Sequence, residues 1–149
     1  MIKYEHKDIT TVEVGIIAHG VNCQSAMGSG VAKAIKTRWP RIYEGYMAHP
    51  DGKEALGSAH IMMVGEVLWV ANCYTQEFYG PGDRKYANVD AIRESLESVF
   101  MFAQYMGVPV YLPKIGAGLG GLDWELEVEP IINELHEQYD VHTTVCLWG

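Results

Sequence analysis

The chain has 149 residues, 48% of them hydrophobic, and a formal net charge of −8. That length points to one domain, spanning residues 1–149, with enough apolar side chains for a sizeable core. The negative charge argues against general nucleic-acid binding, which needs Lys and Arg to replace the counterions around phosphates. A small anion stays possible, because backbone N–H groups hold it locally.

In chain order, the opening "MIKYEHKDIT" has no apolar core of signal-peptide length. No window anywhere approaches the roughly 18 apolar residues of a membrane span. Thr11 to Gly20, "TVEVGIIAHG", is β-branched and ends at glycine, which predicts a buried strand. Gly30 to Arg38 then reads as a helix with Val31, Ala34 and Ile35 on one face, stopped by Trp39-Pro40. His49 to Gly57 is a polar turn region. "SAHIMMV" and "VLWVANCYT" read as two strands of a hairpin joined at Gly65-Glu66.

"EFYGPGDRKYANV" is a loop broken by Gly80, Pro81 and Gly82. Val89 to Met106 keeps helical spacing through Ile92, Leu96, Val99, Phe100 and Ala103, and Gly107 closes it. "VPVYLPKIG" is a short apolar strand. Trp124 to Tyr139 is a helix with a break near Pro130, and "VHTTVCLW" is the last strand. Helices alternating with β-branched runs predict an α/β fold with a mainly parallel sheet covered on both faces. The three cysteines, Cys23, Cys73 and Cys146, lie far apart without a CxxC pair, which argues against a zinc or disulfide framework. No metal or cofactor is expected, and the expected location is the cytoplasm.

Two glycine-rich stretches stand out. "VNCQSAMGSG" leads into the helix at Gly30, and "IGAGLGGLDWE" carries four glycines between Gly116 and Gly121. Glycine turns backbone N–H groups inward and leaves no Cβ in a ligand's way. A helix N-terminus adds unpaired N–H groups and a dipole that favours an anion. Ligands of such sheets bind outside the carboxyl ends of the strands, and both loops follow strands. Together they suit a diphosphate clamped from two sides. Neither is a P-loop, since GxxxxGK[ST] is absent, and "GAGLGG" lacks the context of a dinucleotide fingerprint.

The order of these motifs resembles the macro domain, the ADP-ribose-binding three-layer α/β/α module. "KDIT" is similar to that family's "GDIT", "AHGVNCQSAMGSGVAKAI" to its "VNAAN…GGGVAxAI", and "LPKIGAGLGGLDWE" to its second phosphate loop. Within the family, His19-Gly20-Val21-Asn22 resembles the branch of ADP-ribose-1″-phosphate phosphatases and glutamate-linked ADP-ribose hydrolases. The resemblance implies that Asp8 accepts a hydrogen bond from the adenine amino group, helped by the Ile9 backbone. It implies Asn22 at the distal ribose and Gly28, Ser29, Gly30 and Val31 around one phosphate. Gly116, Ala117, Gly118, Leu119 and Gly120 would hold the other. Glutamate-ester hydrolases of the family carry an Asp in the second loop and a Lys after a central strand; here Gly120 and Gln76 stand near those positions.

Several of these residues have a plain reading beside the functional one. Asp8 suits a solvated turn as well as a ligand contact. His19 is either a hydrogen-bonded core histidine or, with its near-neutral pKa, an acid/base group. Asp123 is either a helix N-cap or a group that orients a water. Cys23 reads as a buried filler and Asp83 as an idle loop residue. Trp148 is an edge aromatic or a border of the adenine pocket. The expected activity is hydrolysis of the phosphomonoester of ADP-ribose-1″-phosphate, with His19 as acid/base and Asp123 assisting. The alternatives are a non-catalytic ADP-ribose reader and a hydrolase of ADP-ribosylated protein or nucleic acid. The expected partner is ADP-ribose or a derivative, with no membrane, and the protein is expected to be a monomer.

Overall fold

A computed structural model describes residues 2–22, 30–48, 55–77, 86–117 and 120–147. Six strands form one sheet: β1 (Lys3–His6), β2 (Gly15–Asn22), β3 (Ala59–Gly65), β4 (Leu68–Gln76), β5 (Val110–Leu112) and β6 (Thr143–Leu147). Their order is β1-β6-β5-β2-β4-β3. All neighbours are parallel except the β3–β4 hairpin. The mixed, mainly parallel sheet expected from the sequence is the one observed.

Alternation along the central strands sorts their side chains to two faces. Ile16 and Ala18 of β2 join Ala71 and Cys73 of β4 in a core with α3 (Val89–Met106) and α4 (Glu129–Tyr139). Ile17 and Val21 join Val70 and Tyr74 in a second core, against α1 (Gly30–Arg38) and α2 (Pro40–Ala48). The result is three layers, α/β/α. Cys73 and Cys146 are buried free thiols, and burial pushes them up to about 12 and about 11.

α3 has the predicted bounds. Asn88 caps its start by accepting from the Ala91 N–H, and Gly107 ends it with φ 70°. The hairpin also forms where expected. Four expectations need correction. The strand predicted from Thr11 begins at Gly15, because Ile9–Thr11 forms a 3-10 turn capped by Asp8, and it runs on past Gly20 to Asn22. Trp39-Pro40 ends α1, but Pro40 also opens α2; proline is favoured at the first helical position, where its missing N–H costs nothing. Lys3–His6 is an edge strand that the sequence reading left out. The helix expected from Trp124 is a π-turn, Trp124–Val128, followed by α4, with Pro130 in its first turn.

Candidate functional site

Parallel pairing puts the carboxyl ends of β1, β6, β5, β2 and β4 along one edge of the sheet. Asp8 lies just beyond β1. Asn22 ends β2, Gln76 ends β4, and Gly116 follows β5. The strand ends that lead into the two loops therefore lie on the same edge. Gly28, Ser29, Gly118 and Leu119 lie outside the described residues, as do Cys23, Asp83 and Trp148.

Asp8 is exposed and caps its turn: Oδ1 accepts from Thr10 N at 2.9 Å and from Thr10 Oγ1 at 2.6 Å. A carboxylate has about four acceptor sites, so this turn does not exhaust it. Ile9 buries its side chain beneath α1 and α2, leaving only its backbone for a ligand.

Gly30 opens α1 with φ +61°, and a Cβ built there would meet nothing within 4 Å. Val31 is partly buried against the α1/α2 core. The first N–H groups of a helix have no intrahelical partner, and α1 has no acidic residue in its first turn.

Loop two is packed more tightly. Gly116 has φ +78°, and a Cβ there would sit 2.7 Å from Ile92 Cδ1. At Gly120 it would sit 2.6 Å from Gly116 O and 2.9 Å from Ala87 Cβ. The Gly116 carbonyl accepts from Leu122 N–H, and the Gly120 carbonyl accepts from the N–H groups of Tyr86 and Ala87. The Ala117 N–H donates to Lys114 O at 3.1 Å, so it is spent within the turn.

His19 sits three residues below the end of β2, about 10 Å at ~3.3 Å per residue. It is 1% exposed, and its Nε2 lies 2.6 Å from Asn72 Oδ1. Burial pushes its pKa down to about 4, against a smaller upward pull from Asn72. It is a neutral imidazole inside the sheet, not a side chain reaching into the edge. These contacts fit the reading of His19 as a hydrogen-bonded core histidine. Asp123 caps the π-turn, accepting from Leu126 N at 2.9 Å, while its own N–H donates to Glu127 Oε2 at 2.7 Å. That reciprocal pair is the capping reading of Asp123.

Asn22 is the one polar residue at the end of β2, and the register slips beside it: Val21 pairs Tyr74, but Asn22 pairs Gln76. Gln76 therefore stands directly across from Asn22. Tyr46, from α2, bonds to Asn22 through its hydroxyl. The sequence reading missed Tyr46 because it missed α2; the i, i+4 pair Ile42 and Tyr46, both buried, was the available signal.

The family model described as Macro domain matches residues 18–132. The chain belongs to the macro domain family. A macro domain from Streptomyces coelicolor superposes on it with a TM-score of 0.82 at 30% identity, covering 100% of both chains. Among curated relatives, an "ADP-ribose 1''-phosphate phosphatase" of Meyerozyma guilliermondii is 29% identical over 160 residues, 88% of each chain. A "DNA ADP-ribosyl glycohydrolase" of Mycobacterium tuberculosis is 27% identical over 149 residues, 97% of this chain. The match spans only 42% of that mycobacterial protein's length.

Proposed function

We propose that this macro domain binds ADP-ribose and hydrolyses the phosphomonoester of ADP-ribose-1″-phosphate, giving ADP-ribose and inorganic phosphate. The observation that carries the reading is the convergence of Asp8, Asn22, Gly30 and Gly116 on one sheet edge. Asp8 receives the adenine amino group, and the Ile9 backbone assists. Gly28, Ser29, Gly30 and Val31 take one phosphate, and Gly116 to Gly120 the other, through N–H groups other than that of Ala117. Asn22 meets the distal ribose.

In the reaction, water adds its oxygen to phosphorus, the P–O1″ bond breaks, and a proton ends on the sugar oxygen. Positioning and backbone N–H groups aimed at the developing charge supply the stabilisation. His19 and Asp123 take no part in the proton transfer: the first is interior, the second a cap.

Two residues weigh against the glutamate-ester hydrolase reading that the resemblance also offers. Gln76 stands opposite Asn22 and carries no charge where the resemblance puts a Lys in ester hydrolases. Gly120 has no room for the Asp that those hydrolases carry in loop two, since even a Cβ would meet backbone at 2.6 Å.

The test is phosphate release from ADP-ribose-1″-phosphate, with ADP-ribosylated DNA and ADP-ribosylated protein as parallel substrates. Phosphate release with the other two substrates untouched is expected. ADP-ribose binding without any release would make the protein a reader. Release of ADP-ribose from DNA or protein would move the activity to the glycosidic or ester bond.

A further inference from the structure

The Tyr46 hydroxyl lies 2.6 Å from the Asn22 carbonyl oxygen and 2.9 Å from Asn22 Oδ1. One donor thus reaches the backbone and the side chain of the same residue. Tyr46 is 1% exposed. Its ring packs at a tilt against Tyr43, 6.3 Å away between centroids, and against Tyr74, 5.8 Å away. Tyr74 is the cross-strand partner of Val21. The ring therefore packs beside the β4 neighbour of Val21, and the hydroxyl reaches one residue further, to the strand end.

That end is where regular pairing fails. The register shift between Val21 and Asn22 leaves Thr75 of β4 as an extra residue opposite the end of β2, and a bulge of this kind disrupts the ladder locally. An amide at an irregular strand end needs something other than the ladder to fix its rotation. A buried tyrosine hydroxyl must find a partner, but any carbonyl would satisfy it. Here it takes the last residue before loop one, and it takes the side-chain oxygen together with the carbonyl.

We infer that Tyr46 is a positioning residue: its hydroxyl holds the Asn22 amide in the orientation that meets the distal sugar of the ligand. This rests on the reading of Asn22 as the distal-ribose contact. It gives α2 a part in the site. Specificity for a ligand that continues past the diphosphate is then set partly from a helix behind the sheet edge.

The experiment compares ADP-ribose with ADP, which lacks the distal ribose, by calorimetric titration of the full chain. Tyr46→Phe keeps the ring and removes the hydroxyl. Its ADP-ribose affinity is expected to fall about 3- to 10-fold, the usual worth of one hydrogen bond, while its ADP affinity stays within about twofold of wild type. Thermal melts check that the variant is folded. Asn22→Ala is expected to lose the preference for ADP-ribose over ADP, and adding Tyr46→Phe in that background should cost nothing more. Equal losses for both ligands, or additive losses in the double variant, would make Tyr46 a packing residue only. Asn22→Ala that keeps the preference would also overturn the proposal, since Tyr46 would have nothing to position. Wild-type protein that binds ADP as tightly as ADP-ribose would bring down the ligand reading itself, and this proposal with it.

Discussion

The two glycine loops carry the same sequence signal for different physical reasons. At loop one, Gly30 turns with φ +61°, and among the described residues a Cβ there would meet nothing within 4 Å beyond its own chain neighbours and helix backbone. At loop two, Gly116 and Gly120 are glycines because the protein itself fills the room: Ile92, Ala87 and the Gly116 carbonyl stand within 3 Å of the missing Cβ atoms. Loop two is further bonded to the segment ahead of α3 through Tyr86 and Ala87. A glycine-rich junction thus mixes residues that leave room for a ligand with residues that let the backbone pack. Only the surroundings tell which is which.

The largest effect expected from that difference is on stability. Gly116→Ala adds a Cβ in a left-handed conformation and against Ile92, for a loss of about 3 kcal/mol. Gly30→Ala carries the left-handed cost alone, about 1 kcal/mol. Urea unfolding of both variants measures the gap. Equal losses would erase the contrast between the loops.

A comparable effect lies beneath loop one, in the strand that carries it. Burial holds His19 at about 4 when folded, against an ordinary 6.5. Below pH 6.5 the unfolded chain takes up a proton that the folded protein refuses, so stability is lost as pH falls from 6.5 towards 4. The loss should reach roughly 3 kcal/mol. His19→Gln should flatten that part of the pH–stability curve relative to wild type. A variant with the same slope would take His19 out of the account.

Smaller, and aimed at ligand and not fold, is Gly30→Glu. Its carboxylate would occupy the open space at loop one, so ADP-ribose affinity should drop by at least about tenfold, or ~1.4 kcal/mol. Gly30→Ala, with the same backbone strain, is the control. Matching affinities for the two variants would place the phosphate elsewhere. The smallest effect is at Asp123. Asp123→Ala removes a cap and should cost about 1 kcal/mol in unfolding, with phosphate release within about twofold of wild type. A fall of a hundredfold would restore Asp123 to the chemistry.

The parts of the fold that sequence periodicity reveals are those that bury one regular face. α3 is bounded by its own residues, Asn88 and Gly107, and its apolar stripe fixes its orientation. The β3–β4 hairpin follows from two apolar runs and a two-residue turn. β1 escaped because all four of its residues are exposed, leaving no alternation to read. α2 is hidden because Pro40 reads as a helix stop, while a proline equally opens a helix.

The site shows the same pattern. Asp8, Asn22 and the glycine stretches are visible as motifs, but where each lies depends on strand ends. Ending β2 at Gly20 makes His19 look like a residue at the rim. With the strand running to Asn22, His19 sinks into the sheet and pairs with Asn72, 53 residues away. Tyr46 depends on tertiary packing alone, through a ring tilted against Tyr74, and no local pattern announces its partner.

The most direct test of the account is the calorimetric titration of the wild-type protein with ADP-ribose, AMP and ribose-5-phosphate under one buffer. In the proposed reading, the sheet edge offers an adenine contact at Asp8, two phosphate loops and a distal-sugar contact at Asn22, and only ADP-ribose fills them all. It should bind with one site per chain and at least about tenfold more tightly than either fragment. Equal affinity for AMP and ADP-ribose would contradict the two-loop clamp on which the reading rests.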